Sequence, residues 1–169
     1  MLNLFTINLS EIKNVLHLCH KVNEMFSKAC EHGIKAMIYI ATQSLNGERV
    51  KMGDITENID SPEAFTAKVL GELVKHGIVE SLKGPYGGFY IQPEKMKTIK
   101  VSDIVAAIDG DTIFNGCGLG LSECSHTQPC PMHHKFVKVR DGLKQMLETT
   151  TILDLAMGLK SGQTMLVRI

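Results

Sequence analysis

Apolar residues recur along this chain at helical spacing, interrupted by short polar punctuation. Ile12, Val15, Leu16, Cys19, Val22 and Phe26 fall three or four apart behind Ser10, which predicts an N-capped first helix. A second stretch, about Lys28 to Leu45, carries Ile34, Met37, Ile38, Ile40 and Ala41 and stops at the turn signal Asn46-Gly47. Lys51 to Asn58 predicts a short helix containing Met52 and Ile55, with Ile59 following, and the pattern breaks at Asp60. Ser61-Pro62-Glu63 then reads as an N-cap with proline at the first helical position. Phe65, Val69, Leu70 and Leu73 form that helix's apolar face, and Gly77 stops it. Two helices joined by a tight turn are the helix-turn-helix pattern.

After Gly77 the period changes. Residues 78–82 and 88–91 read as short strands around Lys83-Gly84-Pro85-Tyr86-Gly87, a β-hairpin with a glycine-rich tip. Helix, turn, helix, hairpin is a winged helix. Val101 to Ile108 predicts another short helix, ended by Asp109-Gly110, and a loop of about Asn115 to Pro131 follows. His133 to Glu148 predicts a longer helix with Phe136, Val139, Leu143, Met146 and Leu147 apolar. Thr151 to Leu159 adds a final turn or two, and Ser161 onward is expected to be loose. The expected fold class is mainly α with a small β-hairpin wing, and no internal repeat is visible.

Composition narrows the class. A chain of 169 residues suits one compact domain, with or without a helical extension. Basic and acidic residues balance at 18 each, so the chain has no overall attraction for nucleic acid, and a local basic face would have to supply it. No run approaches the roughly 18 apolar residues of a membrane span. The first residues lack a basic stretch and a small-residue cleavage site, so the chain is expected to be cytoplasmic. The cysteine count is odd, at five, and three cysteines share one loop. In a reducing compartment such a group points to a metal or redox centre rather than to disulfides.

In a helix-turn-helix the second helix enters the major groove by its N-terminal turns. Its outward candidates here are Glu63, Thr66, Ala67 and Lys68. Glutamate can accept from cytosine N4, threonine can bond either kind of base edge, and lysine can reach guanine or phosphate. On the wing, Lys83 and Tyr86 are placed to meet phosphate or the minor groove. The competing reading is an ordinary amphipathic core helix with a solvated face, in a winged helix that contacts proteins.

Cys117, Cys124 and Cys130 are separated by six and five residues, and His126, His133 and His134 lie close by. Thiolates ligate iron–sulfur clusters, and histidine can replace one of them. Zinc takes the same atoms, but its structural sites favour pairs two to four residues apart, which this loop lacks. Three unligated cysteines, or a redox-sensing disulfide among them, remain open. Cys19 and Cys30 fall on helical faces as small buried hydrophobes. No nucleophile–base pair, Walker loop or dinucleotide fingerprint is present, so no enzyme activity is expected.

Taken together, residues 29–41, Asp54-Ile55, Gly77-Ile78-Val79, the wing Lys83-Gly84-Pro85-Tyr86-Gly87-Gly88 and the triple-cysteine loop resemble one family. It is the winged-helix iron–sulfur transcriptional regulators typified by IscR and the nitric-oxide-sensing repressor NsrR. The resemblance spans about Met25 to Leu159. It implies a homodimeric regulator of double-stranded operator DNA with a 2Fe–2S or 4Fe–4S cluster near the dimer interface. It matches Cys117, Cys124 and Cys130 to the cluster's cysteine ligands, with the first gap one residue longer than usual. For the fourth ligand it offers His133, three residues after the last cysteine, or Glu31, a carboxylate supplied across the dimer. The stretch from Cys124 to Cys130 looks more like the nitric-oxide-sensing type, which favours Glu31 and makes nitric oxide the leading signal. Lysine at position 83 stands where the family commonly has a minor-groove arginine. The implied organisation is an extension at 1–24, a DNA-binding domain at 25–110, a cluster loop at 111–132, and a dimerisation helix with tail at 133–169. A cluster-free thiol and disulfide sensor on the same fold is the alternative.

Overall fold

The computed structural model describes residues 25–117 and 119–166, so the helix predicted behind Ser10 and the whole 1–24 extension lie outside the described residues. The architecture is organised around helix α1, Lys28–Ser44. Ser27 starts it, with its Oγ accepting from the Cys30 N–H at 3.1 Å. The Ser27 hydroxyl also donates to Asp109, and its N–H reaches the same carboxylate at 2.9 Å. Cys30, Gly33, Ala36, Met37, Ile38, Ile40, Ala41 and Ser44 are all buried, so α1 is enclosed on more than one side. A surface helix would show a single apolar stripe; this breadth marks a central helix.

Helix α2, Met52–Ile59, and helix α3, Glu63–Lys75, form the helix-turn-helix. Asp60 makes the turn in the left-handed region, at φ 51°, a conformation its short polar side chain tolerates. The expected Ser61 cap differs in detail. Pro62 occupies the cap position with no side-chain cap bond, and Ser61 Oγ instead lies 2.9 Å from Thr66 Oγ1. Both helices pack on α1 through Ile55, Ile59, Leu70 and Leu73. Each fully buried side chain of this size contributes about 1.5–3 kcal/mol.

Strands β1, Glu80–Leu82, and β2, Gly88–Tyr90, pair antiparallel with Ser81 opposite Phe89. They are shorter than predicted because Ile78, Val79 and Ile91 turn into the core. Val50 adds to the outer edge of β2, exchanging bonds of 3.0 and 2.8 Å with Phe89. Gly88 permits that approach: its φ is 145°, and a Cβ there would sit 2.7 Å from the Val50 carbonyl oxygen.

Pro93–Met96 forms a helical turn, α4, that the periodicity does not predict, since four residues are too few to show a period; it buries Met96 completely. Helix α5, Val101–Asp109, follows, then the short α6, Thr112–Asn115, at the entrance to the cysteine loop. The loop leads into α7, His133–Thr149, and α8, Ile152–Lys160. Thr151 and Asp154 make a capping box at the start of α8. Bonds from Val101 N to Thr150 O and from Ile152 N to Ile99 O, at 3.0 and 2.9 Å, fasten the α7–α8 joint to the start of α5.

The tail differs from expectation. Thr164 N donates to Gly158 O at 3.3 Å, and Leu166 packs against the main core, because an apolar side chain there finds an apolar edge to cover. A second, smaller core joins Cys30, Val101, Val105 and Leu147, surrounded by Phe26, Ile113, Phe114 and Leu143. It lies between α1, α5 and α7, next to the cysteine loop. No helix of the described residues is long and apolar enough to cross a membrane.

Candidate functional site

Helix α3, the expected recognition helix, exposes Glu63, Ala67 and Lys68, three of the four residues expected to face outward. Thr66 does not. It is 1% exposed, and its hydroxyl lies 3.0 Å from Pro62 O and 2.9 Å from Ser61 Oγ. The reason is legible in hindsight: Thr66 sits three, four and seven residues before Val69, Leu70 and Leu73, which puts it on their stripe. A base contact by Thr66 would need the helix to leave the core, so its assignment to the outward face is corrected.

Lys83 and Tyr86 are exposed on the wing, Tyr86 at 92%. A further cation escaped the sequence reading. Arg49 lies over the Tyr90 ring, 5.1 Å from its centroid, on the strand edge that Val50 anchors. The signal was the alternation Arg49, Val50, Lys51, polar on both sides of a buried valine. Behind the recognition helix, His32 of α1 meets Phe65 edge-on with centroids 5.4 Å apart. Burial, then Lys35, holds the His32 pKa below its usual value.

The cysteine loop is fixed at both ends. At its start, the Arg140 guanidinium of α7 donates to Gly116 O at 3.0 Å and to Asn115 O at 3.4 Å. The sequence reading missed Arg140, although it lies two helical turns beyond His133 on the same side of α7. At the loop's end, the His133 N–H donates to Cys130 O at 2.9 Å. The Gly120 N–H donates to Cys117 O at 2.9 Å, and the neighbouring backbone amides of Leu119, Leu121 and Gly120 pull the Cys117 thiol pKa down. Such donors stabilise negative charge on sulfur.

His133 is not the surface residue that its place at a helix start would allow. It is 2% exposed, with Nδ1 3.4 Å from the Cys124 sulfur and Nε2 3.1 Å from His126 Nδ1. Burial, then His126, His134 and Arg140, holds its pKa below the usual histidine value. Glu31 sits in the first turn of α1, paired with Lys28 at 3.0 Å and partly exposed. Among the described residues no three His, Cys, Asp or Glu side chains converge as a metal site, so one chain as it stands does not gather Cys117, Cys124 and Cys130 with either His133 or Glu31. The donors nonetheless suit an iron–sulfur group in kind. One thiol has its pKa lowered by neighbouring backbone amides, and a second sulfur touches a buried imidazole. Cys30, by contrast, is wholly buried as expected. Burial and the neighbouring Asp109 carboxylate push its thiol up to about 12. Cys19 lies outside the described residues.

Along α7 and the residue before it, Met132, Val139 and Met146 are exposed at 40%, 70% and 51%, with Phe136 and Leu143 half-buried between them. Their spacing of four, three, four and three is the seam that one helix presents to another.

Comparison with known proteins gives a consistent result. A family model described as Rrf2, iron-dependent transcriptional regulator, matches residues 26–158. A protein of Aquifex aeolicus (strain VF5), assigned by name as an HTH-type transcriptional regulator, is 35% identical over 134 residues, 78% of this chain and 90% of that one. The HTH-type transcriptional regulator IscR of Escherichia coli O1:K1 / APEC is 27% identical, covering 73% of this chain and 75% of that one. Among solved structures, CymR (YrzC), the global cysteine regulator of B. subtilis, superposes with a TM-score of 0.64 at 22% identity, over 78% of this chain and 95% of that one. IscR of T. potens gives 0.64 at 20% identity, over 85% and 94%. The solved structures share the winged-helix fold.

The contrast between Cys117 and Cys30 is measurable. Thiolate is the reactive form, so a lowered pKa makes Cys117 react at a pH where Cys30, protonated until pH nears 12, cannot. Alkylation of the metal-free, reduced protein near neutral pH, read by peptide mass mapping, is expected to label Cys117 ahead of Cys30. Cys30 should become labelled only when denaturant unfolds the chain. Rapid labelling of Cys30 in the folded protein would contradict its enclosure under α5.

Proposed function

The chain belongs to the Rrf2 family of transcriptional regulators, and from that membership we propose a homodimer that binds operator DNA under the control of an iron–sulfur cluster held by Cys117, Cys124, Cys130 and His133. DNA-binding regulation is the family's activity, not enzymatic turnover. The observation that carries the cluster reading is the contact of buried His133 with the Cys124 sulfur at 3.4 Å. The same contact supports His133 rather than Glu31 as fourth ligand. When bound, the cluster supplies a centre that reacts with nitric oxide or cellular oxidants and is lost when iron or sulfur is scarce.

The chain's own residues turn loop geometry into DNA affinity. Arg140 fastens the loop's start to α7. α7 packs on α5, and α5 packs on both α1 and the recognition helix. Asp109 at the end of α5 holds the start of α1 through Ser27. A shift of the loop against α7 therefore reaches α3 through a continuous packed path. In a dimer seamed along Met132, Phe136, Val139, Leu143 and Met146, the same shift changes the separation of the two recognition helices. That separation must stay near one DNA turn, about 34 Å. Glu63, Ala67 and Lys68 then face base edges and phosphates, with Lys83 and Tyr86 of the wing on the flanking backbone. The cytoplasm is the compartment this activity requires.

One observation favours a second reading. Cys117, with its pKa lowered by backbone amides, is also a suitable thiol for a peroxide-type oxidant, as in a cluster-free disulfide sensor.

The experiment that separates the two is iron and sulfide analysis of anaerobically reconstituted protein. Both elements, with visible thiolate-to-iron absorption, are expected; their absence leaves the thiol sensor. In the loaded protein, His133→Ala should change the spectrum and shorten the cluster's lifetime in air, and Glu31→Ala should do neither. The opposite result would move the fourth ligand to Glu31 of α1 and make the site cross-subunit.

For DNA, Lys68→Ala and Lys83→Ala should each weaken operator binding and make the salt dependence shallower. Each lost phosphate contact removes about one unit of slope. An unchanged slope for both would place the interface elsewhere.

For the dimer, Val139→Glu puts a charge in the middle of the proposed seam. Sedimentation should then show a monomer that keeps its helical circular dichroism, whereas a persistent dimer would exclude this face.

A further inference from the structure

We propose that His126 is a positioning residue that accepts a hydrogen bond from the Nε2–H of His133 and so holds the His133 Nδ1 lone pair toward the Cys124 sulfur. The inference rests on the reading of His133 as the fourth ligand and concerns what makes that histidine competent.

His133 is 2% exposed, and each of its ring nitrogens meets one group: Nδ1 the Cys124 sulfur at 3.4 Å, Nε2 the His126 Nδ1 at 3.1 Å. The His126 and His133 rings meet almost perpendicularly, at 86° with centroids 4.7 Å apart, so the edge of one ring addresses the other. A buried imidazole is best kept neutral, and a neutral imidazole has a single N–H to place. Two arrangements are available. With the proton on Nδ1, His133 would donate to sulfur, a weak acceptor, and would have no lone pair left on the side of the cysteines. With the proton on Nε2, it donates to a ring nitrogen, a good acceptor, and Nδ1 remains free to accept from the thiol or to bind a metal. His126 is itself exposed, so its remaining nitrogen can keep its own proton in contact with water. Histidine ligands generally depend on such an outer partner, most often a carboxylate or carbonyl, to fix which nitrogen is free. Here an imidazole from the same loop takes that place. Because His126 lies between Cys124 and Cys130 in the chain, the partner and the thiols move as one segment.

The test uses the full chain. Imidazole nitrogen NMR on the metal-free, reduced protein, assigned with His133→Gln, reads the tautomer of His133 directly. The expected result is the Nε2–H form in the wild type, retained in His126→Asn, whose amide oxygen can accept the same bond. In His126→Ala the ring should become a mixture of tautomers, while the helical circular dichroism stays unchanged because residue 126 is itself exposed. An Nδ1–H ring in the wild type, or a His133 signal identical in all three proteins, would overturn the proposal. In anaerobically loaded protein, His126→Ala should shorten the cluster's lifetime in air several-fold and His126→Asn should restore it; equal lifetimes would equally count against the positioning role. A cluster that survives His133→Gln unchanged would refute His133 as a ligand while leaving the tautomer result to stand, so the two failures are distinguishable.

Discussion

The burial of α1 is the constraint from which the rest of this structure follows. Its enclosed residues run from Cys30 to Ser44 and leave the chain no choice but to surround it. The helix-turn-helix, α5 and α8 each take one side of it, and β2 takes the end near Ser44, whose hydroxyl receives the Ile91 N–H at 3.1 Å. Even the absence of a side chain matters: a Cβ at Gly33 would run into Ile108 and come within 3.1 Å of Val69, so glycine sets how closely α5 and the recognition helix approach. The surface proposed to read DNA is thus the outside of a shell whose inside is dictated by α1.

In the proposed switch, that arrangement would make communication between loop and recognition helix a matter of packing rather than of a dedicated wire. The second core, around Cys30, Val105 and Leu147, is shared by α1, α5 and α7, and the cysteine loop leaves and rejoins the fold at its border. Arg140 ties the loop's start to α7, and the Cys130–His133 backbone bond ties its end to the first turn of α7. Packed interiors respond to displacement by moving whole elements, since they have few voids to absorb it. A loop anchored at two points on one helix can move that helix.

Charge follows the same division. The chain has no net charge to draw it to nucleic acid, so its cations must act by placement. Lys68 and Lys83 are exposed on the recognition helix and wing, and Arg49 rests on Tyr90 at the wing's edge. In the loop the reverse holds: burial, then His126, His134 and Arg140, lowers the His133 pKa, and backbone amides favour charge on the Cys117 sulfur instead. An imidazole nitrogen beside thiols is a donor set that suits iron or zinc.

The sequence by itself determined the order of elements, because helix period, strand alternation and turn residues are local properties. It placed the two helices of the helix-turn-helix, the glycine-tipped wing and the apolar positions of α7, and it singled out the three loop cysteines by their grouping. It also placed Cys30 inside, on helical spacing alone. What it could not decide were contacts between residues far apart in the chain or within a loop without a period. The burial of Thr66 was implied by its register with Leu70 and Leu73, but its polar side chain suggested the opposite face. The enclosure of His133, its contacts with Cys124 and His126, and the grip of Arg140 on Gly116 depend on how a seventeen-residue helix is set against an irregular loop. No local pattern encodes that placement. It is decided by which apolar surfaces α5 and α7 bury between them, and only the tertiary structure brings those surfaces together.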